Sequence, residues 1–287
     1  MKPAPFEYHL PSSLGDAVKL LDTLDDARIL AGGQSLIPMM NLRVVTPSHL
    51  VDLGQLSELC GINETASSLR IGAMTTQRQL ERSELVRTCC PLLAAAVEHV
   101  GHQQTRNRGT IGGSLCHLDP GAELPVAAAA LDAKLKVVGI NGPRALRFEE
   151  FPDGYLTTSL DPGEILTEIE VRKAFPHEGH AFIEFNQRNA DFAVVSVAIL
   201  VTVVDERIGQ IRIAVGGVSY APIRLIEAEA ALAGNSADDQ TVDTAEEIAS
   251  AVPCQGDEVS PAEFRQHLCG VLVRRALKQA IERAKAA

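Results

Sequence analysis

The hydrophobic pattern of the first forty residues predicts a helix, a strand and a second helix in succession. Residues 12–24 place leucine and valine on one helical face behind serines that can cap the helix. Residues 27–31 form a short apolar run typical of a buried strand, and residues 36–42 read as a short helix. Because a glycine pair separates this strand from the helix, the layout can point backbone N–H groups at an anion.

The pattern continues to about residue 176 with further short strands and helices. Pro91 suits the first turn of a helix, and Asn141 with Gly142 is a hairpin turn signal. The predicted strands are 49–53, 68–72, 134–140 and 164–171, and the predicted helices are 76–80, 91–100 and 121–131.

The pattern breaks at residues 176–180, and we predict a domain boundary there. Beyond the break, three apolar runs are typical of a strand meander, and helical spacing follows them. Strands covered by helices make a stable α+β unit, so the sequence predicts two such domains, 1–176 and 177–287. The predicted C-terminal elements are strands beginning at 181, 193 and 208, a turn at Glu206 and Arg207, and helices at 224–233 and 261–286.

Composition and charge argue against some classes of function. Apolar residues make up 46% of the 287 residues, which is enough to bury a sizeable core. No apolar run is long enough to span a membrane, and the N-terminus has no apolar signal region, so we predict a cytoplasmic protein. The net charge of −11 disfavours nucleic-acid binding, because a phosphate backbone would repel the chain.

The cysteines give no sign of a metal centre. The six cysteines include no CxxC pair, and their spacing matches neither a zinc site nor a ferredoxin motif. No GxGxxG fingerprint, P-loop, GxSxG elbow or HExxH motif is present either. The sequence therefore predicts no metal ligands, no catalytic nucleophile and no paired catalytic carboxylates.

Two glycine-rich segments are the strongest candidates for a binding site. The first segment is 31–36, AGGQSL, and the second is 110–114, TIGGS. Glycine pairs tolerate positive φ and let backbone N–H groups approach phosphate oxygens, and the serines add hydroxyl donors. A tight turn without a ligand would explain one such pair. The recurrence of the pattern favours two glycine-rich turns that clasp one pyrophosphate from two sides.

Polar residues near the second segment have open alternatives. Asp119 would accept a hydrogen bond from a sugar hydroxyl more readily than it would touch phosphate. His117 is more typical of a hydrogen-bonding residue than of a metal ligand. Arg106 and Arg108 could neutralise phosphate charge or simply be solvated.

Further along the chain, Asp191 and Phe192 precede an apolar strand. Asp191 could cap the strand or contact a ligand, and the residues alone favour neither. Phe192 could stack on a flat ring, but core packing is the preferred interpretation.

The segments AGGQSLIPMMNLR and TIGGSLCHLDPGAELP resemble the two flavin-diphosphate motifs of the FAD-binding medium subunit of molybdenum hydroxylases. That family includes carbon monoxide dehydrogenase and xanthine dehydrogenase. The similarity extends through LVDL, RIGAMTT, GEILTEIEV and RNADFAVVSVA. It implies a PCMH-type (vanillyl-oxidase-like) FAD domain of two α+β subdomains, followed by a C-terminal antiparallel sheet with helices.

The resemblance also implies which residues hold FAD. The first glycine segment would wrap the pyrophosphate from one side and the second from the other, while the remaining positions would contact sugar hydroxyls and the flavin. The implied residues are Ala31, Gly32, Gly33, Gln34, Ser35, Leu36, Thr110, Ile111, Gly112, Gly113, Ser114, Asp119, Leu166, Asp191 and Phe192. The chain departs from the family at Glu184, where a lysine is common, so a cationic flavin contact is not expected there.

The resemblance implies an oxidoreductase subunit that works with partners. A small subunit would hold two [2Fe–2S] clusters and a large subunit the molybdenum cofactor, in a heterotrimer or a dimer of heterotrimers. Electrons would reach FAD in this chain and leave to an external acceptor. The alternatives are a self-sufficient FAD-dependent oxidoreductase of the same fold and a cofactor-free interaction protein whose glycines only form turns.

Overall fold

The chain begins with a small parallel sheet, and the first glycine segment directly follows one of its strands. The computed structural model describes all residues, 1–287. The sheet has the strand order β1-β3-β2, and Ser13 caps α1 by accepting a hydrogen bond from the Asp16 N–H. The elements are β1 (Glu7–His9), α1 (Leu14–Thr23), β2 (Ala27–Leu30), α2 (Leu36–Asn41) and β3 (His49–Asp52).

A five-stranded antiparallel sheet and six helices follow. Its strand order is β4-β5-β10-β6-β7, and a two-stranded hairpin, β8-β9, lies between β7 and β10 in the chain. The strands are β4 (Ile62–Glu64), β5 (Ser68–Gly72), β6 (Lys134–Gly139), β7 (Gly142–Arg147), β8 (Pro152–Gly154), β9 (Thr157–Thr158) and β10 (Ile165–Arg172). The helices are α3 (Gln77–Arg82), α4 (Glu84–Cys89), α5 (Pro91–His99), α6 (Gln103–Arg106), α7 (Ile111–His117) and α8 (Glu123–Ala130).

The C-terminal part is a four-stranded antiparallel sheet covered by helices. Its strands pair in the order β11-β12-β13-β14. The elements are β11 (Glu178–Phe185), β12 (Val195–Val204), β13 (Arg207–Gly216), β14 (Ile223–Arg224), α9 (Ile226–Leu232), α10 (Asp239–Ser250) and α11 (Ala262–Ala286). None of the helices is both long enough and apolar enough to cross a membrane.

The C-terminal sheet is buried on both faces, which explains the continuous apolar run along β12. Ala198 and Leu200 join the core shared with α5 and α8. Val197 and Ile199 belong instead to the core beneath α10 and α11. A strand covered on both sides needs no polar alternation, so periodicity alone could not show which side chain faces which helix.

The α+β class and the predicted antiparallel C-terminal sheet are confirmed, with corrections to individual elements. The helices α4, α6 and α10 and the short strands β1, β4, β8 and β9 were not predicted from the sequence, and residues Ile223–Arg224 are a strand rather than the start of a helix. The turn between β12 and β13 is Asp205–Glu206, both at positive φ, one residue earlier than predicted. The second glycine segment is not a turn, because Ile111–His117 is helical. The division into domains at residue 176 stays a prediction.

Candidate functional site

The first glycine segment is an open loop whose backbone donors are free. Gly33 has φ of +72°, a conformation that strains residues with a Cβ. None of the backbone N–H groups of residues 32–36 donates a hydrogen bond within the protein. Five successive free donors form the kind of concave surface that binds an anion.

The two glycine segments meet at Gly32. A Cβ on Gly32 would collide with the carbonyl oxygen of Arg108, just before the second segment. A Cβ on Gly113 would lie 3.6 Å from the Cβ of Ala31. Only a residue without a side chain allows this approach, so the fold brings together segments that are about 80 residues apart in sequence.

The second segment supplies close packing rather than backbone donors. The N–H groups of Ile111 and Gly112 donate to the carbonyls of Thr75 and Ala73, at 3.1 and 2.9 Å. The next two N–H groups donate to the hydroxyl and carbonyl oxygens of Thr110. The backbone donors of residues 111–114 are therefore already used, and Thr110 is the N-cap of α7. The predicted contact of this segment with the pyrophosphate stays a prediction.

The loop after α7 connects the second segment to the loop around Asp191. Asp119 Oδ1 accepts a hydrogen bond from the Gly121 N–H at 2.9 Å. The Gly121 carbonyl in turn accepts from the Ala193 N–H at 3.2 Å. A Cβ on Gly121 would lie 3.1 Å from the Phe192 Cβ, so Asp119 and Phe192 belong to neighbouring loops.

Phe192 is not a core residue. It is 60% exposed, and the interpretation from sequence that it fills the core is wrong. It lines a cleft of about 760 Å³ together with Asp191 and the loop 257–260. Leu166, by contrast, is only 4% exposed and pairs with Val137 in the sheet, which makes it part of the core.

The two arginines near the second segment have different roles. Arg106 forms an ion pair with Glu81 at 3.1 Å and donates to the carbonyls of Val100 and Gly101, both at 2.9 Å. These bonds make Arg106 a structural residue. Arg108 is exposed and forms no ion pair, and its carbonyl oxygen lies against Gly32 of the first segment. Of the two, only Arg108 is available to an incoming anion.

A buried acidic cluster that the sequence did not predict lies beside this loop region. Glu184 is 4% exposed at its side chain and lies 3.3 Å from the Nδ1 of His99. Its Oε1 accepts a hydrogen bond from Asn186, while its Oε2 is buried without a partner. Burial, with a contribution from Glu184, raises the pKa of Glu123 to about 8. The hydrogen bond to Glu184 raises the pKa of His99. The sequence does contain a signal for this cluster, because Glu123 is the only charged residue in the otherwise apolar helix α8.

A single arginine organises the cleft beside Phe192. Arg265 on α11 donates from Nη1 to the carbonyls of Val194 and Gly217, both at 2.6 Å. Its Nη2 pairs with Asp257 at 2.5 Å. The helix thereby fixes three loops at one point, which the helical periodicity of α11 could not reveal.

Family models match nearly the whole chain. The model described as the FAD binding domain in molybdopterin dehydrogenase matches residues 4–173. The model described as the CO dehydrogenase flavoprotein C-terminal domain matches residues 180–280.

Individual relatives match from end to end. The carbon monoxide dehydrogenase medium chain of Afipia carboxidovorans is 36% identical over 287 residues, covering 99% of this chain and 100% of the relative. The nicotine 6-hydroxylase medium subunit of Paenarthrobacter nicotinovorans is 35% identical, covering 98% and 99%. A solved structure of carbon monoxide dehydrogenase from Hydrogenophaga pseudoflava, which lacks the Mo-pyranopterin moiety, has a chain with a TM-score of 0.96 at 38% identity, covering 99% of both chains.

Proposed function

The chain belongs to the family of FAD-binding medium subunits of molybdenum hydroxylases, and we propose that it passes electrons from [2Fe–2S] clusters of a partner subunit through FAD to an external acceptor. It is a subunit of an oxidoreductase, and FAD is its cofactor. The observation that carries the proposal is the row of free backbone donors at residues 32–36 in a chain that matches the medium subunits over its whole length.

The residues of the glycine site fit the diphosphate of FAD. The free N–H groups of residues 32–36 would donate to phosphate oxygens, with the hydroxyl of Ser35 beside them. Ser114 would add a second hydroxyl, and the Arg108 guanidinium would offset phosphate charge. Asp119, whose Oδ2 is not used by Gly121, would accept from the cofactor's hydroxyls.

The flavin end of the cofactor would lie toward the loops that connect the two parts of the chain. Asp191 and the exposed ring of Phe192 would cover the flavin, and Leu166 would approach it from the sheet. When bound, the flavin supplies the electron-accepting and electron-donating chemistry. The chain's own residues position the cofactor, and no residue of the chain is assigned a catalytic role.

The complex is part of the proposal. By its family, the chain would join a small subunit with [2Fe–2S] clusters and a large subunit with the molybdenum cofactor, as a cytoplasmic heterotrimer or dimer of heterotrimers. Residues 1–176 would form the FAD domain and residues 177–287 the C-terminal domain. The two matched regions, 4–173 and 180–280, support this division.

Affinity purification from the native host tests the subunit role. The tagged chain should copurify with two other chains, and the preparation should contain FAD, iron and molybdenum in fixed ratios. A yellow chain that purifies alone, without iron or molybdenum, would contradict the subunit role and favour a self-sufficient flavin oxidoreductase.

A further inference from the structure

A second group of potential ligands lies away from the glycine segments, on the three-stranded parallel sheet. Glu7 on β1 is in register with His49 on β3, and His9 follows two residues after Glu7. Side chains alternate between the two faces along a strand. Glu7, His9 and His49 therefore lie on the same face of two neighbouring strands.

The ligand atoms of these residues are close enough to share one ion. His9 Nε2 lies 3.1 Å from His49 Nδ1. Glu7 Oε2 lies 3.6 Å from His49 Nδ1 and 4.0 Å from His9 Nε2. Tetrahedral zinc with bonds of about 2.0–2.1 Å holds its ligand atoms roughly 3.3 Å apart. The two nitrogens already have nearly this separation, and the Glu7 side chain, 74% exposed, is free to move by the remaining fraction of an ångström.

The donor set selects the class of ion. Two imidazole nitrogens and one carboxylate oxygen suit zinc and similar divalent transition metals, whereas calcium and magnesium prefer oxygen ligands alone. The imidazoles are 23% and 20% exposed, so water can reach the remaining coordination position. We propose that Glu7, His9 and His49 form a site for one divalent transition-metal ion of the zinc class, completed by water.

An ion at this site would join the edge strand β1 to the central strand β3. Each histidine would present an unprotonated nitrogen to the metal. Without an ion, one of the two facing nitrogens donates a hydrogen bond to the other. The site does not depend on the FAD assignment, because the three ligands make none of the glycine-segment contacts.

Equilibrium dialysis against zinc at pH 7.5 tests the site in the full-length, FAD-loaded chain. The wild type should bind one zinc ion per chain, and His9→Ala or His49→Ala should weaken this binding at least tenfold. The control is His267→Ala, which removes an exposed histidine on α11 and should leave zinc binding unchanged. Absence of stoichiometric zinc binding, or binding equally strong in His9→Ala, would overturn the proposal.

Copper(II) is the second probe, and it does not rely on the variants folding. Electron paramagnetic resonance of the wild type with one equivalent of copper(II) should show two coordinated imidazole nitrogens. A spectrum with fewer than two imidazoles would overturn the site even if the histidine variants do not fold.

Discussion

At the scale of single residues, Gly33 is the sharpest test of the glycine site. A valine at φ of +72° would be strained by about 1–2 kcal/mol, and its Cβ would meet the Ile37 side chain at 3.1 Å. The side chain would also hold phosphate away from the free N–H groups. We expect Gly33→Val to fold but to lose FAD, measured as the ratio of flavin absorbance to protein.

Gly234→Val is the matched control for this substitution. Gly234 has φ of +82°, and a Cβ there would meet no atom within 4 Å. This variant should be strained to a similar extent but keep FAD. Full flavin occupancy in folded Gly33→Val would show that the first glycine segment does not line the site.

Gly112 would be a poorer probe than the sequence suggests. It is not at positive φ, and a Cβ would lie 2.6 Å from the Ala73 Cβ and 2.7 Å from the Ala73 carbonyl oxygen. Because Gly112 is buried, a valine there would disrupt the packing of α7 on the sheet, so loss of FAD could not be separated from loss of the fold.

Glu123 gives a pH-dependent prediction. Its folded-state pKa of about 8 lies above the unfolded value of 4.5, so the native state holds the proton more tightly. The stability contributed by this proton is complete below pH 4.5 and is lost as pH rises toward 8. Glu123→Gln should therefore gain stability relative to the wild type between pH 5 and pH 8.5, by on the order of a few kcal/mol. Urea unfolding at the two pH values measures the difference.

Glu282→Gln is the control for the pH series, because Glu282 is exposed on α11. Its difference from the wild type should be the same at both pH values. A Glu123→Gln difference that does not change with pH would contradict a protonated Glu123 in the native state.

At the scale of elements, the sequence predicted the helices and strands that have a strong hydrophobic periodicity. It missed the elements that depend on contacts between segments distant in sequence. The helices α5 and α8 and the strand β10 lie where apolar spacing and Pro91 place them. The helix α10 was not predicted because its buried positions are mostly small or polar, so they give little hydrophobic periodicity. The second glycine segment became a helix because Thr110 caps it and glycine lets it pack against Ala73, a partner distant in sequence.

The prediction at the scale of elements concerns Arg265, which holds three loops against α11. Replacing it with methionine would leave two carbonyls, of Val194 and Gly217, without their charged donor. We expect Arg265→Met to lower the free energy of unfolding by about 2–3 kcal/mol. Arg274→Met, on the same helix but half-exposed, should cost less than about 1 kcal/mol. Equal losses in urea unfolding would show that Arg265 does not organise the cleft loops.

At the scale of the whole molecule, the α+β class and the recurrence of the glycine pattern were readable from sequence. The meeting of Gly32 with Arg108, and the pairing of the buried Glu184 carboxylate with His99, were not, because they depend on how distant segments pack. The exposure of Phe192 depends likewise on the loops around it. Periodicity identifies a buried face but not the element that covers it.

The central claim is that this chain carries electrons for a reaction performed elsewhere. The sequence carries no motif for a catalytic nucleophile, and the cysteine spacing provides no iron–sulfur ligands. A substrate of the complex should therefore not be oxidised by this chain alone.

Turnover of that substrate, followed with an artificial electron acceptor, is the most direct test. The FAD-loaded chain should show no substrate oxidation by itself, and turnover should appear when the iron–sulfur and molybdenum subunits are added. In the same assay, chemically reduced FAD in the isolated chain should still pass electrons to the acceptor. Oxidation of the substrate by the isolated chain at the rate of the complex would contradict the account.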